Sequence, residues 1–109
     1  MLEPLFGSKC REQVLQYIEA NESAYATEIK RFYGMSLDPV QKQLERLELG
    51  SVLVSQNVGK TILYRFNPRY AFLEELRALL LKARSFYKPE LIEALTMQRK
   101  RPRRQGKPL

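Results

Sequence analysis

The stretch of residues 27–66 constrains the fold of this chain more than any other part. Two short amphipathic helical patterns meet at Gly34-Met35-Ser36, and two β-rich runs then flank Val58-Gly59-Lys60. Glycine favours the left-handed conformation in which many helices end, and serine is a good N-cap for a following helix. Because only Gly34 and Met35 separate the second helix from the cap of the third, we expect these helices to cross steeply rather than to lie antiparallel.

The whole pattern predicts an α+β fold that is mainly α-helical with a small β-hairpin. Ser8 can cap a first helix that runs to about residue 20. The elements predicted after it are helices over 25–33 and 37–49, strands over 52–57 and 61–67, a helix from 69 to about 87 and a short helix over 90–98. This order is typical of a winged helix-turn-helix domain, with a three-helix core and a hairpin wing over 1–68, followed by C-terminal helices over 69–98.

The charge of the chain is concentrated at its C-terminal end. The 109 residues include 19 basic and 12 acidic side chains, for a net charge of +7. Residues 1–98 hold 13 of the basic and all 12 of the acidic residues, and therefore carry +1. We expect a disordered basic tail over 99–109 that adds sequence-independent affinity for DNA; the alternatives are a tail without a specific role and one that binds RNA or acidic proteins. Its cations are Arg99, Lys100, Arg101, Arg103, Arg104 and Lys107.

One cysteine and no histidine limit the chemistry available to the chain. A single cysteine cannot form an intramolecular disulfide, and histidine-based triads are excluded. No apolar run approaches the roughly 18 residues that cross a bilayer, and the start lacks the basic and apolar regions of a signal peptide. We therefore expect a cytoplasmic protein that is not an enzyme, binds no metal or cofactor and contacts no membrane. Cys10 is interpreted as an inert thiol of the core.

The polar side of the third helix is the candidate binding surface. An α-helix fits the major groove of B-DNA, where the base edges present donors and acceptors to glutamine, lysine and aspartate. The residues predicted off its apolar stripe are Ser36, Asp38, Gln41, Lys42, Gln43 and Arg46. The wing is predicted to contact flanking DNA through Asn57, Gly59, Lys60 and Arg65. Double-stranded DNA is the predicted partner. The alternative is a solvated helix face without a partner.

The helix after Pro68 carries more apolar surface than one small domain needs. One seam consists of Phe72, Leu76, Leu79, Ala83 and Phe86, and a second seam beside it consists of Leu73, Leu76, Leu80, Ala83 and Tyr87. The surplus predicts a homodimer, formed by an extended arm or by pairing of this helix with its symmetry mate. The alternative is that the core of one protomer takes up both seams.

Several motifs together resemble a known family. GMSLDPVQKQLERLELG at 34–50, VGK at 58–60 and YRFNP at 64–68 are similar to the winged helix-turn-helix regulators of ArsR and MarR type. LFGSKCR at 5–11 and LEELRALLLK at 73–82 resemble a subgroup often joined to nucleotidyltransferase domains. The resemblance covers roughly residues 5–95. It implies a prokaryotic, homodimeric, sequence-specific transcriptional regulator whose two recognition helices enter successive major grooves.

The chain departs from that family in three respects. Its wing and recognition helix hold fewer arginines, and it lacks the clustered cysteines and histidines of metal-sensing relatives. No nucleotidyltransferase sequence follows residue 98, so that activity is not implied, and a nucleotidyltransferase-type or other protein partner stays unidentified. Two alternatives remain open: a winged helix that serves as a protein-interaction module, and an RNA-binding protein led by its tail.

Overall fold

The chain adopts an α+β fold, which confirms the predicted class. A computed structural model describes the backbone of residues 1–100 and the side chains of residues 1–97. Within this part, six helices accompany one three-stranded antiparallel sheet. The elements are α1 (Glu3–Phe6), α2 (Lys9–Asn21), β1 (Ser23–Tyr25), α3 (Ala26–Tyr33), α4 (Leu37–Leu49), β2 (Leu53–Val58), β3 (Thr61–Phe66), α5 (Leu73–Arg84) and α6 (Pro89–Lys100).

Local signals account for the start of α2 and the end of α3. Ser8 lies in an extended conformation, and its hydroxyl accepts a hydrogen bond from the Arg11 N–H at 3.1 Å. This satisfies one of the amide groups that the first turn of a helix leaves without a partner. At the other point, Gly34 adopts the left-handed conformation with φ of 65°, and its N–H donates to the Lys30 carbonyl. Both predicted boundaries are confirmed.

Strand β1 was not predicted, because the sequence pattern placed Tyr25 in the second helix. Ser23–Tyr25 pairs antiparallel with β3, with Ala24 opposite Tyr64, so the sheet order is β1-β3-β2. The helix begins one residue later, at Ala26. There the Tyr25 N–H donates to the Glu28 carboxylate at 2.9 Å, so Glu28 rather than a serine or threonine caps the first turn.

Helix α2 lies at the centre of the fold. It contacts α4, α5 and α6 as well as β1 and β3. Leu15 and Ile18 of α2 are buried together with Leu44 of α4, Leu80 of α5 and Leu95 of α6. The last helix was expected to cover α5, but its main contact is with α2. The C-terminal helices therefore share one hydrophobic core with the helices before the hairpin.

Three boundaries in the C-terminal part differ clearly from the prediction: α5 begins at Leu73, it ends at Arg84 rather than near residue 87, and α6 ends at Lys100. Residues 68–72 form turns rather than helix, with the Tyr70 N–H donating to the Asn67 carbonyl at 3.0 Å, so α5 begins at Leu73. Helix α6 continues through Arg99 and Lys100, which the sequence assigned to the tail. Residues 101–109, with Arg101, Arg103 and Arg104, lie outside the described part of the chain.

A buried polar stripe on α2 holds α5 in place. Glu12, Gln16 and Glu19 recur at i, i+4 and i+7 of the helix, and none is more than 7% exposed. The side-chain amide of Gln16 donates to the Leu80 carbonyl at 2.8 Å. Arg84 donates from Nε to Gln16 Oε1 at 2.9 Å and from Nη2 to Glu19 Oε1 at 2.5 Å. These charge-assisted hydrogen bonds offset the cost of burying the polar groups.

The first carboxylate of this stripe joins three segments of the chain. Glu12 accepts hydrogen bonds from the Tyr87 hydroxyl, from the Leu2 N–H at 2.8 Å and from the amino group of Met1 at 3.3 Å. Burial alone would raise the pKa of Glu12, but these hydrogen bonds and the nearby amino group outweigh it and lower the pKa. Burial and the bond to Glu12 raise the pKa of Tyr87.

Two further expectations concern Cys10 and membrane spans. The Cys10 side chain is half-buried against the core, and burial raises the pKa of its thiol, which fits the predicted inert role. Among the described residues, no helix combines the length and the apolar character that a bilayer crossing requires.

Candidate nucleic-acid interface

Helices α3 and α4 meet at a tight turn. Gly34 reverses the chain in the left-handed conformation, and the Met35 N–H donates to the Lys30 carbonyl at 3.1 Å. Ser36 precedes α4 in an extended conformation, at the position expected of an N-cap, although its side chain makes no capping hydrogen bond. Pro39 lies within the first turn, where a missing N–H costs little.

The exposed side of α4 contains most of the side chains predicted to read DNA. The buried stripe consists of Val40, Gln43, Leu44 and Leu47. The predicted residues that remain exposed are Ser36, Asp38, Gln41, Lys42 and Arg46. Glu45 is also exposed on this side, but sequence reasoning did not select it. Its position four residues after Gln41, off the apolar stripe, was the signal that could have identified it.

The structure places Gln43 away from this surface, which corrects the prediction. Its side chain is 8% exposed, and its Oε1 accepts a hydrogen bond from Arg11 Nε at 2.9 Å. Position 43 lies three residues after Val40 and four before Leu47, so helical periodicity turns it towards α2. The prediction followed the polarity of the residue instead of its position. Gln43 therefore positions α4 on α2 and is not available to DNA.

The tip of the β2–β3 hairpin projects polar and small residues. Gly59 turns the chain with φ of 62°, and the Thr61 hydroxyl donates to the Val58 carbonyl at 2.7 Å. Lys60 and Asn57 are exposed beside this turn. A glycine at the tip avoids the strain that an L side chain meets at positive φ.

A cleft of about 220 Å³ joins the hairpin to the two helices. Gln41 and Glu45 of α4 form one wall, and Lys60 and Ile62 of the hairpin form another. The start of α3 closes the third side with Thr27. The structure therefore brings the predicted residues Gln41 and Lys60 to one depression, and it adds Thr27 and Glu45, which sequence reasoning missed.

Arg65 lies elsewhere, although it was predicted to act with the wing. It is exposed, but it borders a different cleft, of about 270 Å³, together with Glu22, Leu73 and Arg77. The cause is the alternation of side chains along β3. Tyr64, its neighbour, lines the cleft beside α4, so Arg65 points to the opposite face of the sheet. Arg65 is therefore separated from Gln41 and Lys60.

The electrostatic character of α4 is slightly acidic. Asp38, Glu45 and Glu48 outnumber its two cations, Lys42 and Arg46, so the helix carries a net charge of −1. Glu48 accepts a hydrogen bond from the Ser55 hydroxyl at 2.5 Å. Burial raises the pKa of the nearby Tyr64, and the negative charges of Glu48 and Glu45 raise it further.

The predicted dimer residues divide into an inner and an outer set. Leu80 and Ala83 are buried in the core of the protomer, and the half-buried Tyr87 donates to Glu12, so these three side chains are engaged within the protomer. They were predicted at a dimer contact because the sequence does not reveal that α2 covers this side of α5. Leu73, Leu76 and Leu79 are half-buried. Phe72 and Phe86 remain 63% exposed.

Apart from Arg65, the exposed candidates thus lie on two surfaces. One surface contains the outer side of α4 and the hairpin tip, and the other follows the outer edge of α5. Comparisons of the chain with protein-family models, with curated proteins and with solved structures find no match. A functional assignment therefore depends on the residues and their geometry.

Proposed function

We propose that this chain is a winged helix-turn-helix protein that binds specific DNA sequences and regulates transcription. In this proposal α4 enters the major groove, and the β2–β3 hairpin is the wing that contacts flanking phosphates. The observation that carries the proposal is the common cleft, in which Gln41 of α4 and Lys60 of the hairpin tip border one depression. A helix and a neighbouring hairpin that share one accessible surface can contact the same duplex.

The dimensions and residue types of α4 suit base recognition. The helix has 13 residues and is therefore about 20 Å long, enough to lie across a major groove. Gln41 can make a bidentate pair with adenine, and Lys42 can reach guanine or a phosphate. The outer position of Asp38 allows it to accept a hydrogen bond from the amino group of cytosine.

In this proposal the affinity for DNA and the specificity for its sequence come from different parts of the chain. Because α4 carries −1 and residues 1–98 carry only +1, the folded part attracts phosphates weakly. The six cations of 99–109 would supply sequence-independent affinity through the release of counterions. Lys60 and Arg46 would add contacts to phosphate next to α4. Specificity would then come from a few exposed side chains of α4.

We further propose that the regulator acts as a homodimer. A two-fold dimer presents two copies of α4, which can enter successive major grooves about 34 Å apart. Its operator would then contain two inverted half-sites. The exposed rings of Phe72 and Phe86, at the two ends of α5, support the proposal, because exposed apolar side chains near one another are typical of protein contacts.

A protein-interaction module is the second candidate. The acidic balance of α4 favours it, since Asp38 and Glu45 would repel phosphates unless they meet bases. Leu49, at the end of α4, is 88% exposed and would suit an apolar protein contact better than a phosphate. In this alternative the same surface binds a protein and selects no DNA sequence.

Selection of bound duplexes from a random pool tests the two candidates. The DNA-binding proposal predicts an enriched sequence that the full chain binds more tightly than random duplex. Gln41→Ala combined with Lys42→Ala should reduce this discrimination by about five- to 150-fold, because a good bidentate pair contributes about 1–3 kcal/mol. Gln43→Ala is the matched control: this residue is buried against Arg11, so the preference among sequences should persist.

The tail provides an independent arm of the experiment. Deletion of residues 99–109 should weaken binding to selected and random duplexes alike, and should flatten the dependence of affinity on salt. If no sequence is enriched, or if the Gln41 and Lys42 changes weaken every duplex equally, base recognition by α4 is wrong. The docking alternative predicts the first of these results.

A further inference from the structure

The outer edge of α5 and its two ends carry a row of apolar side chains that the protomer covers only in part. Phe72, Leu79 and Phe86 are spaced seven residues apart: Leu79 lies within α5, Phe72 directly precedes the helix, and Phe86 follows two residues after its end. The Phe72 carbonyl accepts from the Leu76 N–H at 2.8 Å, and the Phe86 N–H donates to the Ala83 carbonyl at 3.0 Å. Both residues therefore continue the hydrogen-bonded turns at the two ends of α5. Each ring is 63% exposed, and Leu79 between them is half-buried.

Two opposite charges accompany this row on one flank. Glu75 and Lys82 are both exposed and are also seven residues apart. Glu75 precedes Leu79 by four residues and Lys82 follows it by three, so each lies next to the apolar row. The Lys82 ammonium is 5.8 Å from the centre of the Phe86 ring. The row and its flank therefore carry an acid near one end and a base near the other.

We infer that a second copy of this chain covers the row, with the two α5 helices antiparallel and the two-fold axis at Leu79. A two-fold contact is self-complementary, so residues equally far from the axis meet. Leu79 lies midway between Phe72 and Phe86, so each Phe72 packs against Phe86 of the other copy. The same operation brings Glu75 of each copy next to Lys82 of the other. A parallel pairing would put the charged flanks on opposite sides of the seam and lose both ion pairs.

The inference rests on the proposed homodimer but not on DNA binding. Each phenylalanine offers about 200 Å² and is nearly two-thirds exposed, so two rings and Leu79 bury on the order of 300–400 Å² per copy. This is below the roughly 800 Å² per partner of a standard interface. We therefore expect a reversible dimer with a dissociation constant on the order of micromolar rather than an obligate one.

Charge exchange on the full chain tests the antiparallel register, with sedimentation equilibrium in low salt and without DNA. Glu75→Lys alone, or Lys82→Glu alone, should weaken dimerisation about tenfold, because each change affects two symmetry-related pairs. The double variant Glu75→Lys/Lys82→Glu should restore the original affinity. Glu74→Lys is the matched control: this acid is exposed in the same turn but faces away from the row, and the dimer should tolerate its reversal.

The outcomes separate the inference from the proposed function. A dimer that none of these changes affects, or a double variant weaker than either single variant, would overturn the antiparallel register while a homodimer stands. A wild-type chain that stays monomeric up to about 1 mM would overturn the inference and the proposed homodimer together. An enriched DNA sequence in the selection experiment is independent of both results. Because Glu75, Lys82 and Glu74 are exposed, each variant should keep the helical circular dichroism spectrum of the wild-type chain, which serves as the folding control.

Discussion

Replacing Arg84 by leucine should destabilise the fold far more than a typical surface change does. The Arg84 guanidinium is buried between α5 and α2, and it donates to Gln16 Oε1 at 2.9 Å and to Glu19 Oε1 at 2.5 Å. The side chains of Arg84 and Glu19 are 9% and 6% exposed. Arg84→Leu leaves the Glu19 carboxylate and the Gln16 carbonyl oxygen in the interior without their main donor.

The magnitude follows from the burial of both partners. Removing one member of a buried ion pair costs about 3–5 kcal/mol, because the remaining charge is desolvated and uncompensated. For a domain of this size about 1 kcal/mol corresponds to about 4–8 °C in the midpoint of thermal unfolding. We therefore expect Arg84→Leu to lower that midpoint by at least about 12 °C. Urea unfolding followed by circular dichroism measures the free energy of unfolding directly.

Arg77 provides the matched control for this experiment. It contacts the other oxygen of Glu19 at 3.4 Å, but its side chain is 52% exposed. Solvent screens such a pair, so Arg77→Leu should cost less than about 1 kcal/mol. The double variant Glu19→Leu/Arg84→Leu should recover a large part of the loss, because it leaves no buried unpaired charge, and Arg77, which loses Glu19, is 52% exposed. Equal, small losses for Arg84→Leu and Arg77→Leu would refute the reasoning, since they would mean that water reaches the Arg84 guanidinium.

Two further predictions concern Tyr87 and Gly34. Tyr87→Phe removes a hydrogen-bond donor to Glu12, whose pKa is lowered in the folded protein. Ionised Glu12 therefore stabilises the fold at pH values above its ordinary pKa, and this stability is lost as the pH falls through the lowered pKa. The variant should be less stable at pH 7 by about 1–3 kcal/mol and should lose less on acidification, and parallel curves of unfolding free energy against pH would contradict this. Gly34→Ala should lower the free energy of unfolding in urea by about 1–2 kcal/mol, because Gly34 has φ of 65°, where an L side chain is strained. Nothing lies within 4 Å of an added Cβ, so a steric clash would not add to this cost. An unchanged unfolding midpoint would show that the backbone strain is absent.

Those parts of the fold that depend on local chemistry were predictable from the sequence. The cap at Ser8, the left-handed glycine at position 34 and the glycine turn at position 59 each act within a few residues. Helices α2 and α4 and the hairpin β2–β3 accordingly lie close to their predicted positions. In each case the hydrophobic periodicity and the turn residue indicated the same boundary, and this agreement made the boundary predictable from the sequence.

Strand β1 could not be predicted in this way. Ser23–Tyr25 is too short to show an alternating pattern, and its extended conformation depends on pairing with β3, about forty residues later in the chain. Glu22, just before it, adopts φ of 73° and ends α2 without the glycine that normally marks such a position. The first feature arises from a tertiary contact, and no local sequence signal marks the second.

The exposed residues of α4 were predictable where the polarity of a side chain and its position on the helix both indicate exposure. For Gln41 and Lys42 both properties indicate the surface, and both side chains are exposed. For Gln43 the two properties conflict, and position prevails because Val40 and Leu47 fix that side of α4 against α2. Arg65 shows the corresponding limit on a strand, where alternation sends it to the face away from α4.

Polarity and helical position also conflict on α2, where polar side chains are buried and fix the two candidate surfaces relative to each other. Gln16 and Glu19 have the composition of a solvated face, but Arg84 makes them an interior seam that accepts α5 in one register. A purely apolar seam would tolerate sliding by a turn, whereas hydrogen bonds with fixed partners do not. The edge of α5 that carries Phe72 and Phe86 is thereby fixed relative to α2, and Gln43 and Arg11 fix α4 on the same helix. Two copies joined along α5 would therefore present their α4 helices at a defined separation, which a DNA duplex with regular half-site spacing requires.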